Sequence, residues 1–372
     1  MKTYGVQVKL HGEYGRMLSS DFFSIFKDRR ILITGDSGFK GSWLALWLNK
    51  LGAKVTGISL PPRSERDLFF RCKLSEVITH IDLDIRDYEK VSTIFSKINP
   101  EFVFHLAAQS LVSLSYKDPI QTFSTNVMGT VHVLEACRRL SSMPKIINVT
   151  SDKCYKNSES GRAFQESDPF GGKDPYSNSK ACAELVAESL RSSFFNEDSI
   201  ASVRAGNVIG GGDWCEDRIV PDLFRAIYSS KSLSIRNPSS IRPWQFVLEP
   251  LHGYLRVAAA LYRGLPDAAS GWNFGPQETN MCSVKDLMDQ FIKVMNRGSY
   301  IIEPSINQGH EAKTLRLNSS KAKAELSWKQ ILTIDEMIQW TADGYDSIME
   351  DTAQEVINHQ IDQFMQLVST RT

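Results

Sequence analysis

Between residues 30 and 206 short β-branched runs alternate with longer helical ones, and this alternation constrains the chain more than any other feature. RILIT (30–34), AKVTGISL (53–60), VITHIDLDI (77–85), EFVFHLA (101–107), KIINVTS (145–151) and SIASVRAG (199–206) read as strands. FKGSWLALWLNKLG (39–52), DYEKVSTIFSKIN (87–99), PIQTFSTNVMGTVHVLEACRRL (119–140) and YSNSKACAELVAESLRSSFF (176–195) read as helices. Strand, helix, strand in succession closes as a parallel crossover, so the expected fold class is α/β with a doubly wound parallel sheet. Beyond Gly206 the rhythm loosens through Gly210-Gly211-Gly212 and tryptophans at 214, 244, 272 and 328. A smaller, loop-rich substrate lobe is expected there, with the helix at 249–264 returning to the sheet.

Charge and cysteine usage narrow the partners. Lys+Arg and Asp+Glu are both 43, so no net field draws the chain to nucleic acid or an anionic membrane. Any anion site must be built from specific groups. The six cysteines are scattered without a C-x-x-C pair, which argues against zinc and against a disulfide framework. No apolar run reaches membrane-spanning length, and residues 1–17 lack the apolar stretch of a secretory signal. A cytoplasmic protein that binds neither membrane nor metal is expected.

Gly35, Gly38 and Gly41 follow the first strand and run into the first helix. Gly35 permits a tight turn, Gly38 lets backbone amides approach a pyrophosphate, and Gly41 permits close packing of helix on sheet. At this junction the spacing points to a dinucleotide. Asp36 puts a carboxylate inside the turn and is expected to face solvent or cap the helix. The second strand ends without an acid to hold a ribose 2′-hydroxyl, and Arg63 or Arg66 could meet a 2′-phosphate. Surface solvation is the heavier reading of those arginines. Asp84, at the end of the third strand, is expected to accept from an adenine amine, with Asp87 capping the next helix.

The fifth strand stops at Ser151 and then sets a carboxylate beside an ammonium, Asp152-Lys153. Downstream, DPYSNSK places Tyr176 and Lys180 four residues apart, on one helical face. A lysine near a phenol favours phenolate, and a phenolate can take a carbinol proton as hydride leaves. Asp152 could simply cap the following turn; beside the Tyr-Lys pair, the catalytic reading ranks first.

With these residues in view, the chain resembles the extended short-chain dehydrogenase/reductases and, within them, the nucleotide-sugar 4,6-dehydratases. The resemblance rests on TGDSGFKGSWLALWL, HLAAQSLVSLSY, STNVMGTVHVLEA, VTSDKCY, DPYSNSKACAELV, VRAGNVIGGGDW, RNPSSIRPWQFVLEPLHGY and WNFG, from about Ile31 to Trp328. SDKCY together with RNPSSIRPWQ is the most specific combination. Two departures stand out: the family usually has histidine at Asp36 and aspartate at Asn318, the latter near a late helix cap. Residues 1–16 match nothing in the family.

The resemblance implies a Rossmann-like sheet over 30–206 with a returning segment at about 241–275. A substrate lobe from 207–240 and 276–350 is expected with it, beside an N-terminal extension 1–29 and, from the apolar pattern alone, a helical tail 351–372. The resemblance implies bound NAD, held by Gly35, Ser37, Gly38, Phe39, Lys40, Gly41, Ser59, Asp84, Ile85, Leu106, Ala107, Gln109, Tyr176 and Lys180. The reaction implied is conversion of CDP-glucose to its 4-keto-6-deoxy form, in deoxysugar synthesis for surface polysaccharide. Tyr176 would take the C4 hydroxyl proton, Ser151 would bond the C4 oxygen, and Asp152, kept protonated by burial, would protonate the departing C6 hydroxyl. Lys153 stands where related dehydratases place a glutamate for the C5 proton. It either acts as a neutral amine or stays charged and stabilises the enolate. Asn207, Arg218 and Arg242 are expected at the substrate diphosphate; a surface helix charge is an equal reading of Arg218. Trp214 and Trp244 read as core aromatics before nucleobase platforms.

Competing readings are a 4-epimerase, which needs no acid at Asp152, a dehydratase of another nucleotide sugar, and a non-catalytic NAD(P)-binding sensor. A homodimer or dimer of dimers is expected through helices 119–140 and 176–195. In the tail, Ile357, Ile361, Phe364, Met365 and Val368 share one helical face and are expected to dock on their own or a neighbouring subunit.

Overall fold

The computed structural model describes residues 20–62, 64–157, 159–277, 281–303 and 315–371. Six strands were expected and seven form one sheet: β1 Arg30–Thr34, β2 Lys54–Ser59, β3 Thr79–Asp82, β4 Phe102–His105, β5 Lys145–Val149, β6 Ile200–Ala205 and the segment Gly271–Phe274. Their spatial order is Gly271–Phe274, β6, β5, β4, β1, β2, β3, and every pairing is parallel. The chain order reverses beside β1, which lies between β2 and β4. This is the doubly wound arrangement, whose crevice opens at the carboxyl ends of the strands flanking the reversal.

Burial explains the strand composition. All six residues of β6 and all four of β4 are buried, as a strand covered on both faces requires. Edge strand β3 has no fully buried residue and is shorter than the run 77–85 suggested, because residues 74–77 form a helical turn instead. The GWNF strand is too short and too isolated in sequence to show a period of its own. It forms because β6 offers it an edge.

Seven of the helices carry the site or cover it: α1 Phe39–Lys50, α2 Tyr88–Ile98, α3 Gly129–Arg138, α4 Pro175–Phe194, α5 Leu248–Tyr262, α6 Ile334–Met349 and α7 Ala353–Arg371. The helix expected over 119–140 is interrupted. Residues Pro119–Phe123 are α-helical, Ser124–Met128 widen into a π-helical turn, and α3 comes next. The buried Asn126 anchors that turn, donating to Gln109 O and Ser179 Oγ and accepting from Gln109 N. α5 packs against β5 and β6, and Leu248 through Leu261 are all buried.

Residues 207 to 303 add short pairings beyond the sheet: Val208–Ile209 with Gln245–Phe246, Leu233–Ile235 with Tyr300–Ile302, and Ile241–Pro243 with Met281–Ser283. All three follow β6 in sequence.

Candidate active site

The glycine turn lies where β1 meets α1. Gly35 has φ +82°, and a Cβ there would stand 2.8 Å from Ala107 N; one at Gly41 would stand 1.9 Å from Gly35 O. Only glycine fits either place. The amides of Leu106 and Ala107 both donate to Thr34 Oγ1 at 3.1 Å, holding the β4 end against the turn. Gly38 caps α1 without a side-chain acceptor, so the first-turn amides at Phe39, Lys40 and Gly41 point outward as an anion cradle. His105, passed over in the sequence, braces this floor. Its Nδ1 lies 2.7 Å from Thr34 Oγ1 and its Nε2 3.0 Å from Thr130 Oγ1. Burial pushes its pKa down to about 3, so the ring is neutral.

Asp36 overturns its expectation. It is 0% exposed, with Oδ2 2.6 Å from His80 Nδ1, while His80 Nε2 lies 3.1 Å from Asp82 Oδ1. The space exists because β2 has glycine opposite; a Cβ at Gly57 would come within 2.1 Å of the carboxyl group. Hydrogen bonding to Asp36 raises the His80 pKa.

Other residues expected at the cofactor are close by. Ser59 donates to Ser37 Oγ at 2.7 Å, and Ser37 donates to Leu60 O at 3.0 Å. Asp84 is engaged by the Arg86 guanidinium through both oxygens, at 2.6–3.0 Å, which competes with its expected role toward adenine. Asp87 caps α2 as expected, accepting from Lys90 N. Ile85 is buried, its carbonyl accepting from His132 Nδ1 at 3.0 Å. The Gln109 side-chain amide donates to Leu111 O and Thr122 Oγ1. Arg66 is exposed and lies 5.4 Å over the Trp214 ring; Arg63 falls outside the described residues.

The Asp-Lys pair sits in a short turn at the end of β5. Ser151, not Asp152, caps that turn, accepting from Lys153 N at 3.2 Å and donating to Asp152 Oδ1 at 2.9 Å. Asp152 is 3% exposed and, among the described residues, its Oδ2 is buried without a partner, beside Gly206. Burial raises its pKa, against the pull of Lys153. Capping therefore does not explain Asp152. Lys153 is partly buried.

Asp174 caps α4 through Ser177 N, with Pro175 in the first turn, and this sets Tyr176 and Lys180 one turn apart. Lys180 donates to Val149 O at 3.2 Å. Burial pushes the Tyr176 hydroxyl up to about 12, opposed by a hydrogen bond with Ser151, and pushes Lys180 down to about 8. The expected help from Lys180 is thus not what moves Tyr176 in the protein alone; Ser151 is the larger opposing influence.

Lys40 also reaches this group of residues. Its ammonium lies 3.5 Å from Tyr254 Oη, and burial, with repulsion from Arg218 and Lys180, pushes it down to about 8. Arg218 stands at the start of the helix Ile219–Tyr228 with 35% of its side chain exposed; it pairs with Asp213 at 2.8 Å and reaches Ser110 Oγ at 3.3 Å. Arg242 is 9% exposed in the strand Ile241–Pro243, and the Asn207 carbonyl accepts from Gln245 N. Trp244 is buried, and Trp214 packs edge-on against Tyr345 at 5.1 Å, as core aromatics. Among the described residues no His, Cys, Asp and Glu cluster could hold a metal ion, and no helix is long and apolar enough to cross a membrane.

Residues 32–341 match the family model of GDP-mannose 4,6 dehydratase. The CDP-glucose 4,6-dehydratase of Salmonella typhimurium is 47% identical over 313 residues, covering 82% of this chain and 87% of that protein. A dTDP-D-glucose 4,6-dehydratase of Dictyostelium discoideum is 30% identical over 220 residues, covering 56% of this chain and 50% of that one. Among solved structures, the dTDP-glucose 4,6-dehydratase of Bacillus anthracis in complex with NAD superposes with a TM-score of 0.73. It is 21% identical and covers 86% of this chain and 97% of that one. The UDP-glucose 4-epimerase of Thermotoga maritima with UDP-glucose also gives 0.73, at 20% identity, covering 86% and 99%. At that identity the structures speak to the fold.

Proposed function

This chain belongs to the GDP-mannose 4,6 dehydratase family, and we propose that it converts CDP-glucose, with bound NAD, to CDP-4-keto-6-deoxyglucose. The observation that carries dehydration over epimerisation is Asp152: a buried carboxyl with a raised pKa and an orphaned oxygen, hydrogen-bonded to Ser151. An epimerase has no use for such an acid. The choice of cytosine rests on the 47% identity to the Salmonella enzyme.

The glycine turn fits NAD, because Gly35 and Gly41 leave no room for side chains and α1 presents uncapped amides to a pyrophosphate. Ser37, Phe39, Lys40, Ser59, Asp84, Ile85, Leu106, Ala107 and Gln109 would line the rest. When bound, NAD supplies an acceptor for hydride from C4 that gives it back at C6. Tyr176 takes the C4 hydroxyl proton, and Ser151 steadies the C4 oxygen as charge grows on it. Lys180 brings positive charge near the phenol. Once C4 is a ketone, Lys153, acting as a neutral amine, removes the C5 proton, while Asp152 gives its proton to the C6 hydroxyl and water departs. Lys153 then returns that proton to C5 as C6 is reduced, so the proton gained by Tyr176 balances the one lost by Asp152. Asn207, Arg218 and Arg242 hold the diphosphate, for which a planar guanidinium is well suited.

The protein works on a cytoplasmic pool of nucleotide sugars. The helices that were expected to pair between subunits keep apolar surface: Ile120 is 81% exposed, Phe194 56% and Leu185 53%. A homodimer, or a dimer of dimers, would cover them.

The test is incubation with CDP-, dTDP- and UDP-glucose and GDP-mannose, reading the alkali-induced absorbance of a 4-keto product. CDP-glucose is expected to give product at the highest rate, and Tyr176→Phe to abolish it while retaining cofactor. A C4 epimer, or faster turnover of another nucleotide, would overturn the assignment. For Lys153→Met in deuterated water, reduced cofactor should accumulate while C5 exchange fails. Exchange at the wild-type rate removes Lys153 as the base.

A further inference from the structure

We propose that Glu184 and Arg204 are positioning residues whose buried ion pair grips both ends of the turn carrying Ser151 and Asp152, registering it on the helix that carries Tyr176. Both are 3% exposed, and the pair is two-pronged: Arg204 Nε to Glu184 Oε1 at 2.7 Å, and Nη2 to Oε2 at 3.0 Å. Thr150, immediately before Ser151, donates its hydroxyl to Glu184 Oε1. Tyr155, immediately after Cys154, accepts from Arg204 Nη1 at 2.5 Å and donates to Asn273 Oδ1 at 2.7 Å. The four residues Ser151 to Cys154 therefore hang between two side chains bound to the same ion pair.

The surroundings hold that pair in one orientation. The guanidinium lies 5.2 Å from the Tyr155 ring centre and 5.0 Å from that of Phe170. It fills space that a side chain at Gly271 would need, a Cβ there standing 2.4 Å from Nη2. Glu184 comes one turn after Lys180 on α4, so the clamp ties the turn bearing the acid to the helix bearing the base. Stability does not account for it, since buried ion pairs are commonly replaced by apolar residues of similar volume at no loss. What apolar packing would not supply is direction. A two-pronged pair fixes the angle and position of whatever hydrogen-bonds to it.

Thr150→Val and Tyr155→Phe each remove one hydroxyl and keep the volume; Thr150→Ser keeps the hydroxyl. The kinetic readouts rest on the dehydratase reading, and amide exchange over residues 150–155 does not. With CDP-glucose, Thr150→Val and Tyr155→Phe should lower kcat by up to about 100-fold, the scale of a small misplacement of reacting groups, with little change in KM. C4 oxidation and loss of the C6 hydroxyl should both slow, because the turn carries Ser151 as well as Asp152. Thr150→Ser should restore kcat, and amide exchange should quicken in the two disabled variants only. Wild-type kcat in both variants would overturn the clamp. If the wild-type protein makes no 4-keto product, the dehydratase reading falls, and exchange then decides the clamp alone: unchanged protection overturns it.

Discussion

Asp36 needs a cation behind the glycine turn, because a fully buried carboxylate is otherwise costly, and His80 supplies it. The hydrogen bond to Asp36 raises the His80 pKa above its unfolded value, outweighing burial, which lowers it. A raised folded pKa means that the protonated ring is the stabilising form. That contribution is fully present below about pH 6.5 and is lost as pH rises through the folded pKa. Urea melts at a series of pH values should therefore show the wild type losing stability, relative to His80→Gln, as pH climbs from about 6.5. Parallel pH profiles for the two proteins would show that the pair contributes nothing. Asp36 was legible as an oddity in the turn. Its partner was not, since nothing in the spacing of residues 36 and 80 reveals that β2 and β3 set Gly57 beside His80.

Like α5, α1 is buried on every side: Gly41 through Leu48 are all buried, more than a helix lying on a sheet alone would show. Its outer side is covered by the tail. On α7, Ile357, Ile361, Phe364 and Val368 are buried, and Phe364 meets Trp47 edge-on at 5.7 Å. Lys50 pairs with Asp362 at 2.7 Å, and Arg371 grips Glu336 on α6 at 2.8 Å. The apolar period of the tail was readable, Met365 lying partly buried at its margin; the docking partner within the same chain was not. Ending the chain after Asp351 removes these four buried side chains and uncovers the face of α1; burying each such side chain is worth roughly 1.5–3 kcal/mol. The truncated protein should melt at markedly lower urea, if it folds at all. An unchanged midpoint would mean that the tail is dispensable to α1.

At the scale of the whole molecule, the expected pairing of helices 119–140 and 176–195 between subunits rests on exposed apolar residues on and beside them. Tyr116, Ile120, Met128, Leu185 and Phe194 are exposed on helices whose opposite sides pack inward. Light scattering at micromolar concentration should return a multiple of the 41.9 kDa chain mass. Replacing Ile120 and Leu185 together by Lys should shift it toward the monomer. A monomeric wild type would refute the helix pairing. The doubly wound sheet, the glycine turn, the Tyr176-Lys180 pair and the position of Asp152 were all determined by sequence, because each depends on neighbours a few residues apart: a strand period, a turn only glycine can make, an i,i+4 step. The seventh strand, the π turn at Asn126, the Asp36–His80 pair, the approach of Lys40 to Tyr254 and the Glu184–Arg204 clamp were decided by tertiary structure. Each of these joins residues from separate elements whose meeting depends on sheet register and helix packing. Burial then fixes the chemistry: the low dielectric around Asp152 and Tyr176 raises both pKa values, and the chain assembles that environment only when it folds.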